Sequence, residues 1–257
     1  MKSEEDSYRL LSEYYDMLIS EASQIEINFL DNVFKSFGKN IKNVLDLGCG
    51  TAAHAILLEK MGYSMICCDI SDSMLKTAKR NIQKSKTRIK LLKHDMKTIK
   101  LNKKFDAAIA LSRAFQHSLS NSDVEKTLKN ISNHLKLGGL FIFELHNYQS
   151  GKYSIYARMV PLYFFKNQYK KVAIFGIDDE DYIKKIAKRV YLFLKYEGRK
   201  MSFDFDTQYF RIWNVADIRC FLEREGFNVL RVYGDFDLNQ RFDEQSHTMI
   251  FVCKKAK

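Results

Sequence analysis

Proline is all but missing from this sequence. Pro161 stands alone in 257 residues, so no proline-rich linker divides the chain. No apolar run approaches the roughly 18 residues that a membrane-spanning helix needs. Met1 to Asp6 is charged and lacks the apolar core of a signal peptide, so export is not expected. The five cysteines, Cys49, Cys67, Cys68, Cys220 and Cys253, form no CxxC pair. An odd count without metal-ligand spacing points to a reduced, cytoplasmic protein rather than a disulfide scaffold. The histidines and cysteines are scattered, and no metal is expected. No internal repeat or low-complexity tract is present. Acid is in short supply too: 31 Asp and Glu face 42 Lys and Arg, a net charge of +11. That charge suits an anionic partner. The lysines, however, are spread along the whole chain without an arginine-rich cluster, so a lysine-rich surface accounts for them and a nucleic-acid partner is not expected.

Apolar residues are plentiful. At 46% of the composition they supply a sizeable core, which excludes disorder. A chain of this length accommodates one α/β domain with an insertion, or two small domains. The stretch that organises the rest is Val44-Leu45-Asp46-Leu47-Gly48-Cys49-Gly50-Thr51-Ala52. Val44, Leu45 and Leu47 read as a buried strand. Gly48 and Gly50 let the backbone turn tightly and approach a ligand. Ala52 to Met61 reads as a helix, with Ala55, Leu58 and Met61 at helical spacing. Strand, glycine turn and helix form the layout of a nucleotide-binding βα unit.

Two chemistries share this layout. Gly48-x-Gly50-x-x-Ala53 fits the dinucleotide fingerprint with alanine in its last place, and a plain structural turn fits as well. Asp46, two residues before the first glycine, shifts the reading. Asp46-x-Gly48-x-Gly50 resembles motif I of the class I S-adenosylmethionine-dependent methyltransferases. The match continues over 44–117 and is loose beyond. Position 52 departs from it: many members of the family carry glycine there, and the Ala52 methyl narrows the room beside the methionine moiety.

Residues 5–36 read as a helix, with Leu11, Tyr14, Tyr15, Leu18, Ile19 and Ala22 on one stripe that Ile27, Leu30 and Val33 continue. The resemblance implies that this helix closes over the cofactor. Tyr15, of the pair Tyr15-Asp16, then lies near the reacting methyl, and Tyr8 faces the same pocket. Packing in the core is the other reading of these tyrosines. Ser64 to Cys68 reads as the second strand, ending at Asp69. A carboxylate there can accept hydrogen bonds from both ribose hydroxyls. Ser71 or Asp72 is better placed to cap the next helix. By resemblance, Ile70 and Met74 pack on the adenine ring. Arg88 to Leu92 reads as the third strand and runs into His94-Asp95-Met96. The resemblance gives Asp95 the adenine amino group and Met96 a backbone contact to the ring, while His94 reads as a surface residue.

Phe105 to Leu111 reads as the fourth strand. Ligands of open α/β sheets lie beyond the carboxyl ends of the strands, so Leu111 to His117 is the loop expected to meet cofactor and acceptor. An imidazole at His117 suits orienting an amine or hydroxyl and, near neutral pH, taking its proton. Tyr15 would be its partner across the pocket. Capping of the loop before Asn121 is the alternative for His117. Asn121 to Leu135 reads as a helix with Val124, Leu128, Ile131 and Leu135 inward, ended by Gly138-Gly139. Leu140 to Leu145 is the fifth strand, with Glu144, His146 and Asn147 at its end.

Residues 151–212 then intervene, rich in aromatics that include Tyr153, Tyr156, Tyr169, Phe203 and Phe205. Most of this reads as antiparallel strands, with a turn at Glu197-Gly198 and alternation through Met201, Phe203 and Phe205. Lys184 to Leu194 also suits a helix. Asn214 caps a helix over Val215 to Glu225, closed by Gly226. Phe227 to Tyr233 and His247 to Cys253 read as an antiparallel end hairpin.

The expected fold is therefore α/β. A seven-stranded Rossmann-like methyltransferase sheet carries helices on both faces, with an antiparallel β insertion after strand five. Residues 1–150 and 213–257 form the S-adenosylmethionine-binding core, and 151–212 a lid or substrate subdomain. The order resembles the small-molecule branch of the family, the amino-sugar and glycine or sarcosine N-methyltransferases. That implies methyl transfer from S-adenosyl-L-methionine to nitrogen or oxygen of a small acceptor by in-line displacement. RNA or protein methylation on the same fold, and nicotinamide-dependent oxidation, are the rival readings.

Overall fold

The computed structural model describes residues 8–150, 158–166 and 170–256. Helix α1 (Leu11–Phe37) leads into β1 (Asn43–Leu47), α2 (Ala53–Lys60), β2 (Ser64–Asp69), α3 (Asp72–Ser85) and β3 (Lys90–Lys93). Then come β4 (Phe105–Ala110), a 3-10 turn (Ala114–His117), α4 (Asn121–His134) and β5 (Leu135–His146). Four strands follow, β6 (Arg158–Lys166), β7 (Lys170–Asp181), β8 (Ile186–Glu197) and β9 (Lys200–Arg211). Helix α5 (Val215–Arg224), β10 (Phe227–Tyr233) and β11 (Thr248–Lys255) close the chain.

Seven strands form one sheet in the order β10-β11-β5-β4-β1-β2-β3. Strands β1 to β5 pair in parallel, and β11 runs antiparallel to both β5 and β10. The chain order reverses at β1, which lies between β2 and β4, and ligands of such sheets bind in the crevice beyond that point. Alternation along β1 feeds two cores. Val44 packs with Ile27, Leu30 and Val33 of α1 and with Ala55 and Leu58 of α2. Leu45 and Leu47 pack with Val124, Leu128 and Ile131 of α4 and with Ile218 and Leu222 of α5. Each fully buried Leu, Ile or Phe adds about 1.5–3 kcal/mol, so the sheet is held rigidly from both sides.

Helix starts follow local chemistry. Ser71 Oγ accepts from the Met74 N–H, Ser120 Oγ from Asp123, and Asn214 Oδ1 from Asp217. Helix α1 has no such cap of its own at Leu10. Asp206 of β9 supplies it instead, its Oδ2 accepting from Leu10 N at 2.8 Å and Leu11 N at 2.9 Å. The second sheet, in the order β6-β7-β8-β9, is thereby fastened to the start of α1. Leu10, Leu11 and Tyr14 are buried against Val172, Ile174, Tyr191 and Phe193 of that sheet.

Several expectations change. The α1 helix starts at Leu11 with a turn over 8–10, and residues 5–7 lie outside the described residues. Gly138-Gly139 does not end α4. The chain passes from His134 directly into β5, where a register shift lies between Leu135 and Leu140 and Gly138 takes φ 76°. Lys184 to Leu194 is not helical, because Ile186–Glu197 pairs with strands on both sides. Met201, Phe203 and Phe205 do alternate, but they face solvent at 75, 73 and 52% exposure. Tyr153, Tyr156 and Tyr169 lie outside the described residues. Among the described residues no helix is long and apolar enough to cross a membrane.

Candidate active site

The turn after β1 is built from residues at positive φ: Gly48 at 71°, Gly50 at 52° and Ala52 at 63°. The Gly48 and Cys49 N–H groups donate to the Cys68 carbonyl at 2.8 and 3.0 Å, which bends the turn back over β2. A Cβ on Gly48 would stand 2.6 Å from the Ala114 Cβ, so the loop after β4 crosses here only because position 48 is glycine. Gly50 N donates to Asp69 Oδ2 at 2.8 Å, and Ser71 N donates to Asp69 Oδ1 at 2.8 Å. Burial raises the Asp69 carboxyl above its ordinary range, and these backbone donors pull it partly back. Each oxygen keeps lone pairs for a ligand hydroxyl.

A cleft opens beside this turn. Tyr8, Tyr15, Gly48, Gly50, Asp69, Ile70, Met74, Asp95, Met96 and His117 all line it. His94, expected only at the surface, is exposed and lies on the rim. A smaller cavity shares Tyr15, Gly48, Gly50 and Ser112 with the cleft and adds Asp46 and Leu111. Every site residue singled out from the sequence thus borders one of two adjoining spaces. Asp95 is more engaged than its spacing suggested. It accepts from the Lys97 N–H at 2.8 Å and pairs with Lys97 Nζ at 3.4 Å.

The floor of the smaller cavity is acidic. Burial pushes Asp46 up to about 7. Burial lowers the nearby His54 imidazole, but its hydrogen bond to Glu26 of α1 and the charges of Glu26, Asp46 and Glu144 together outweigh this and raise it overall. Asp16 of α1 accepts from Thr51 Oγ1 and, at 2.7 Å, from Asn81 Nδ2 of α3. Helix α1 is therefore bound to the glycine turn through Thr51 and to α3 through Asn81.

The loop after β4 carries strain at Ser112 and Arg113, with φ 49° and 66°. Side chains rarely adopt such angles, at a cost of roughly 1–3 kcal/mol each, and they cluster at functional sites. Glu144 at the end of β5 holds the loop by accepting from Ser112 N at 2.7 Å. Burial, with Glu26 adding, pushes Glu144 up to about 7. The Tyr8 hydroxyl lies 2.8 Å from His117 Nε2. The His117 ring also packs on Phe210 of β9 at 4.7 Å between centroids. Burial and the Arg113 guanidinium hold His117 down to about 4, so it is neutral at pH 7. The expectation that it takes a proton near neutral pH is corrected on that ground. The hydroxyl brought to it is that of Tyr8, while Tyr15 is hydrogen-bonded to the Ser112 side chain.

Residues 44–139 match the sequence model of the methyltransferase domain family. The chain belongs to the class I S-adenosylmethionine-dependent methyltransferases. A putative methyltransferase of Geobacillus sp. (strain WCH70) is 24% identical over 251 residues, covering 97% of this chain and all of the relative. The glycine/sarcosine N-methyltransferase of Aphanothece halophytica is 31% identical over 140 residues, about half of each chain. The crystal structure of an S-adenosylmethionine-dependent methyltransferase from Clostridium acetobutylicum ATCC 824 superposes with a TM-score of 0.80. It is 20% identical and covers 97% of this chain and 99% of its own.

The methyltransferase uses S-adenosylmethionine, and its cleft has the chemistry for that cofactor. Two carboxylates, Asp69 and Asp95, face it beside the apolar side chains of Ile70, Met74 and Met96. A Cβ on Gly50 would come within 3.7 Å of Tyr15 and 3.9 Å of Met74, inside the space a ligand needs. The nicotinamide reading falls with the family match. Sequence reasoning left Arg113, Glu144, Tyr191, Asp206 and Phe210 without roles. Arg113 stood inside the loop the sequence had singled out, and Glu144 at a strand end. Only the fold brings Tyr191 and Phe210 to Arg113, and Asp206 to the start of α1.

Proposed function

We propose that this methyltransferase acts on nitrogen or oxygen of a small-molecule acceptor held between the carboxyl edge of the main sheet and the four-stranded sheet. The observation that carries this reading is the fastening of that second sheet over the site. Asp206 caps α1, Tyr191 reaches Arg113 at 3.2 Å, and Phe210 packs on His117. Residues 151–212 would serve as a lid, with 1–150 and 213–257 as the cofactor-binding core. The half-length similarity to a glycine/sarcosine N-methyltransferase supports an acceptor of that scale.

S-adenosylmethionine supplies an electrophilic sulfonium methyl group when bound. This chain's residues then bind, orient and exclude water. In the proposed arrangement Asp69 accepts from the ribose hydroxyls. Asp95 and Met96 meet the adenine edge, with Ile70 and Met74 on its faces. Gly48 and Gly50 leave room along the backbone, and Asp46 and Leu111 border the inner cavity. Tyr15 closes the cleft from α1. His117, neutral and hydrogen-bonded to Tyr8, orients the acceptor without storing its proton. Glu144 holds the loop from behind by accepting from the Ser112 N–H.

Methyl-labelled S-adenosylmethionine incubated with the chain and a panel of amines, amino acids and nucleotide sugars tests the reading, with bulk tRNA alongside. Label in a small molecule is expected. Label in tRNA alone would overturn it.

A further inference from the structure

The second sheet is apolar on both faces, and the described residues cover only one of them. Its inner face puts Val172, Ile174, Tyr191 and Phe193 against the start of α1. The register of β7, β8 and β9 sets the outer face in rows. Ala173 stands beside Leu194 and Phe203, Phe175 beside Leu192 and Phe205, and Ile177 beside Val190. Phe164 of β6 extends the first of these rows. These side chains are half-buried or exposed and join no apolar core among the described residues. Antiparallel sheets that face water on one side ordinarily alternate apolar and polar residues. Here neither set of alternate positions from Val190 to Phe193 is polar.

The outer face is also self-complementary. Along β7 its positions run from Lys171 through Ala173, Phe175 and Ile177 to Asp179, a cation at one end and an anion at the other, both exposed. Turned end for end, the row sets Lys171 against Asp179, the small Ala173 against Ile177, and Phe175 against itself. Along β8 the same turn sets Tyr196 against Lys188, which lies beside Asp179, and Leu194 against Val190 about Leu192. We propose that this face packs on the same face of a second copy of the chain, about a two-fold axis crossing the strands at Phe175, Leu192 and Phe205. Two-fold pairing of identical patches is the commonest closed assembly, and stacked sheets lie about 10 Å apart with their strands nearly aligned. At about 4.8 Å between strands and 3.4 Å per residue, the rows from Val190 to Tyr196 across four strands have a footprint of roughly 450 Å². Projecting side chains bring the accessible area toward the about 800 Å² that each partner gives in a standard interface. The inner face of the same strands carries Asp206, which caps α1, and Phe210, which packs on His117. The roofs of two active sites would then back onto one shared layer.

The test is light scattering and sedimentation of the full chain over a range of concentrations. The wild type is expected as a dimer, with a mass twice 30.2 kDa. Phe205→Lys sets two like charges face to face on the axis and should raise the dimer dissociation constant roughly tenfold or more. S-adenosylhomocysteine affinity, measured on the variant, shows that the fold is retained. Charge reversal gives a second test that leaves the apolar rows intact. Lys171→Asp and Asp179→Lys should each weaken the dimer, and the two together should restore it. Hydroxyl-radical labelling of Met201 and Phe203 should fall as concentration rises through the dissociation constant. A monomer at every concentration overturns the proposal, whether the face stays bare or binds vesicles of anionic phospholipid. A dimer in which labelling of Met201 and Phe203 does not fall overturns it too, because another surface then joins the copies.

Discussion

The Tyr8 hydroxyl sits 2.8 Å from Nε2 of His117, across 109 residues of sequence. The contact joins the start of α1 to the loop after β4, the two segments that face each other across the cleft. The Tyr209 backbone also hydrogen-bonds the His117 ring, so β9 of the second sheet takes part as well. A ring held this way works as a fixed dipole. His117→Ala is expected to lower turnover by roughly 10- to 100-fold, the scale of lost positioning, with cofactor affinity nearly unchanged. The pH–rate profile above pH 6 should keep its shape, because a group held at about 4 does not titrate there. Steady-state kinetics with a binding isotherm for S-adenosylmethionine checks both. A profile that loses a limb near neutral pH would show His117 acting as a base.

The same residue makes a stability prediction. A histidine held at about 4 in the folded chain, and near the ordinary value of about 6.5 when unfolded, binds its proton more readily in the unfolded state. Its contribution is complete above pH 6.5 and is lost as pH falls toward 4. His117→Asn should therefore flatten the fall in melting temperature over that window.

Glu144 works in the opposite sense. Its folded carboxyl stands at about 7, above the ordinary range, so the folded state holds the proton longer. Its stabilising contribution is complete at low pH and is lost as pH rises through 7. Glu144→Gln should gain melting temperature relative to wild type at pH 8 but not at pH 5.

Much of this site was legible from sequence where the signal was local. The D-x-G-x-G turn, Asp69 at a strand end and the end hairpin each show in a short window. Their geometry follows from the glycines and the alternation. Residues 184–194 were ambiguous because the same apolar positions suit a helix and a strand, and only pairing with β7 and β9 decides. The alternation of Met201, Phe203 and Phe205 marks a strand correctly, yet its polar side turns inward. Asp206 is spent on the backbone of α1, a use no window of β9 reveals. Arg113 and Glu144 were unreadable for a similar reason, since Arg113 meets Tyr191 and Phe210, and Glu144 meets the Ser112 N–H, only in the fold.

Asp206 gives a direct test of how the roof is attached. Replacing a helix-capping acid typically costs about 0.5–2 kcal/mol. Asp206→Ala is expected to destabilise by that amount, and to raise hydrogen exchange at Leu10 and Leu11 before it does so in α4. Uniform exchange across all helices would contradict the attachment.

Asp69→Ala removes the proposed acceptor for the ribose hydroxyls. Loss of a charged hydrogen-bond partner costs about 1.5–3 kcal/mol. Affinity for S-adenosylmethionine should fall roughly 10- to 150-fold by that measure, with the fold intact by circular dichroism. An unchanged dissociation constant would remove Asp69 from the site.

The central claim is that the methyl group passes to a small molecule under the second sheet. The most direct measurement follows tritium from methyl-labelled S-adenosylmethionine into a desalted cell extract resupplied with its own low-molecular-mass fraction, with and without the purified chain. The account predicts enzyme-dependent label in the low-molecular-mass fraction, reduced by His117→Ala. Enzyme-dependent label confined to RNA or protein would contradict it.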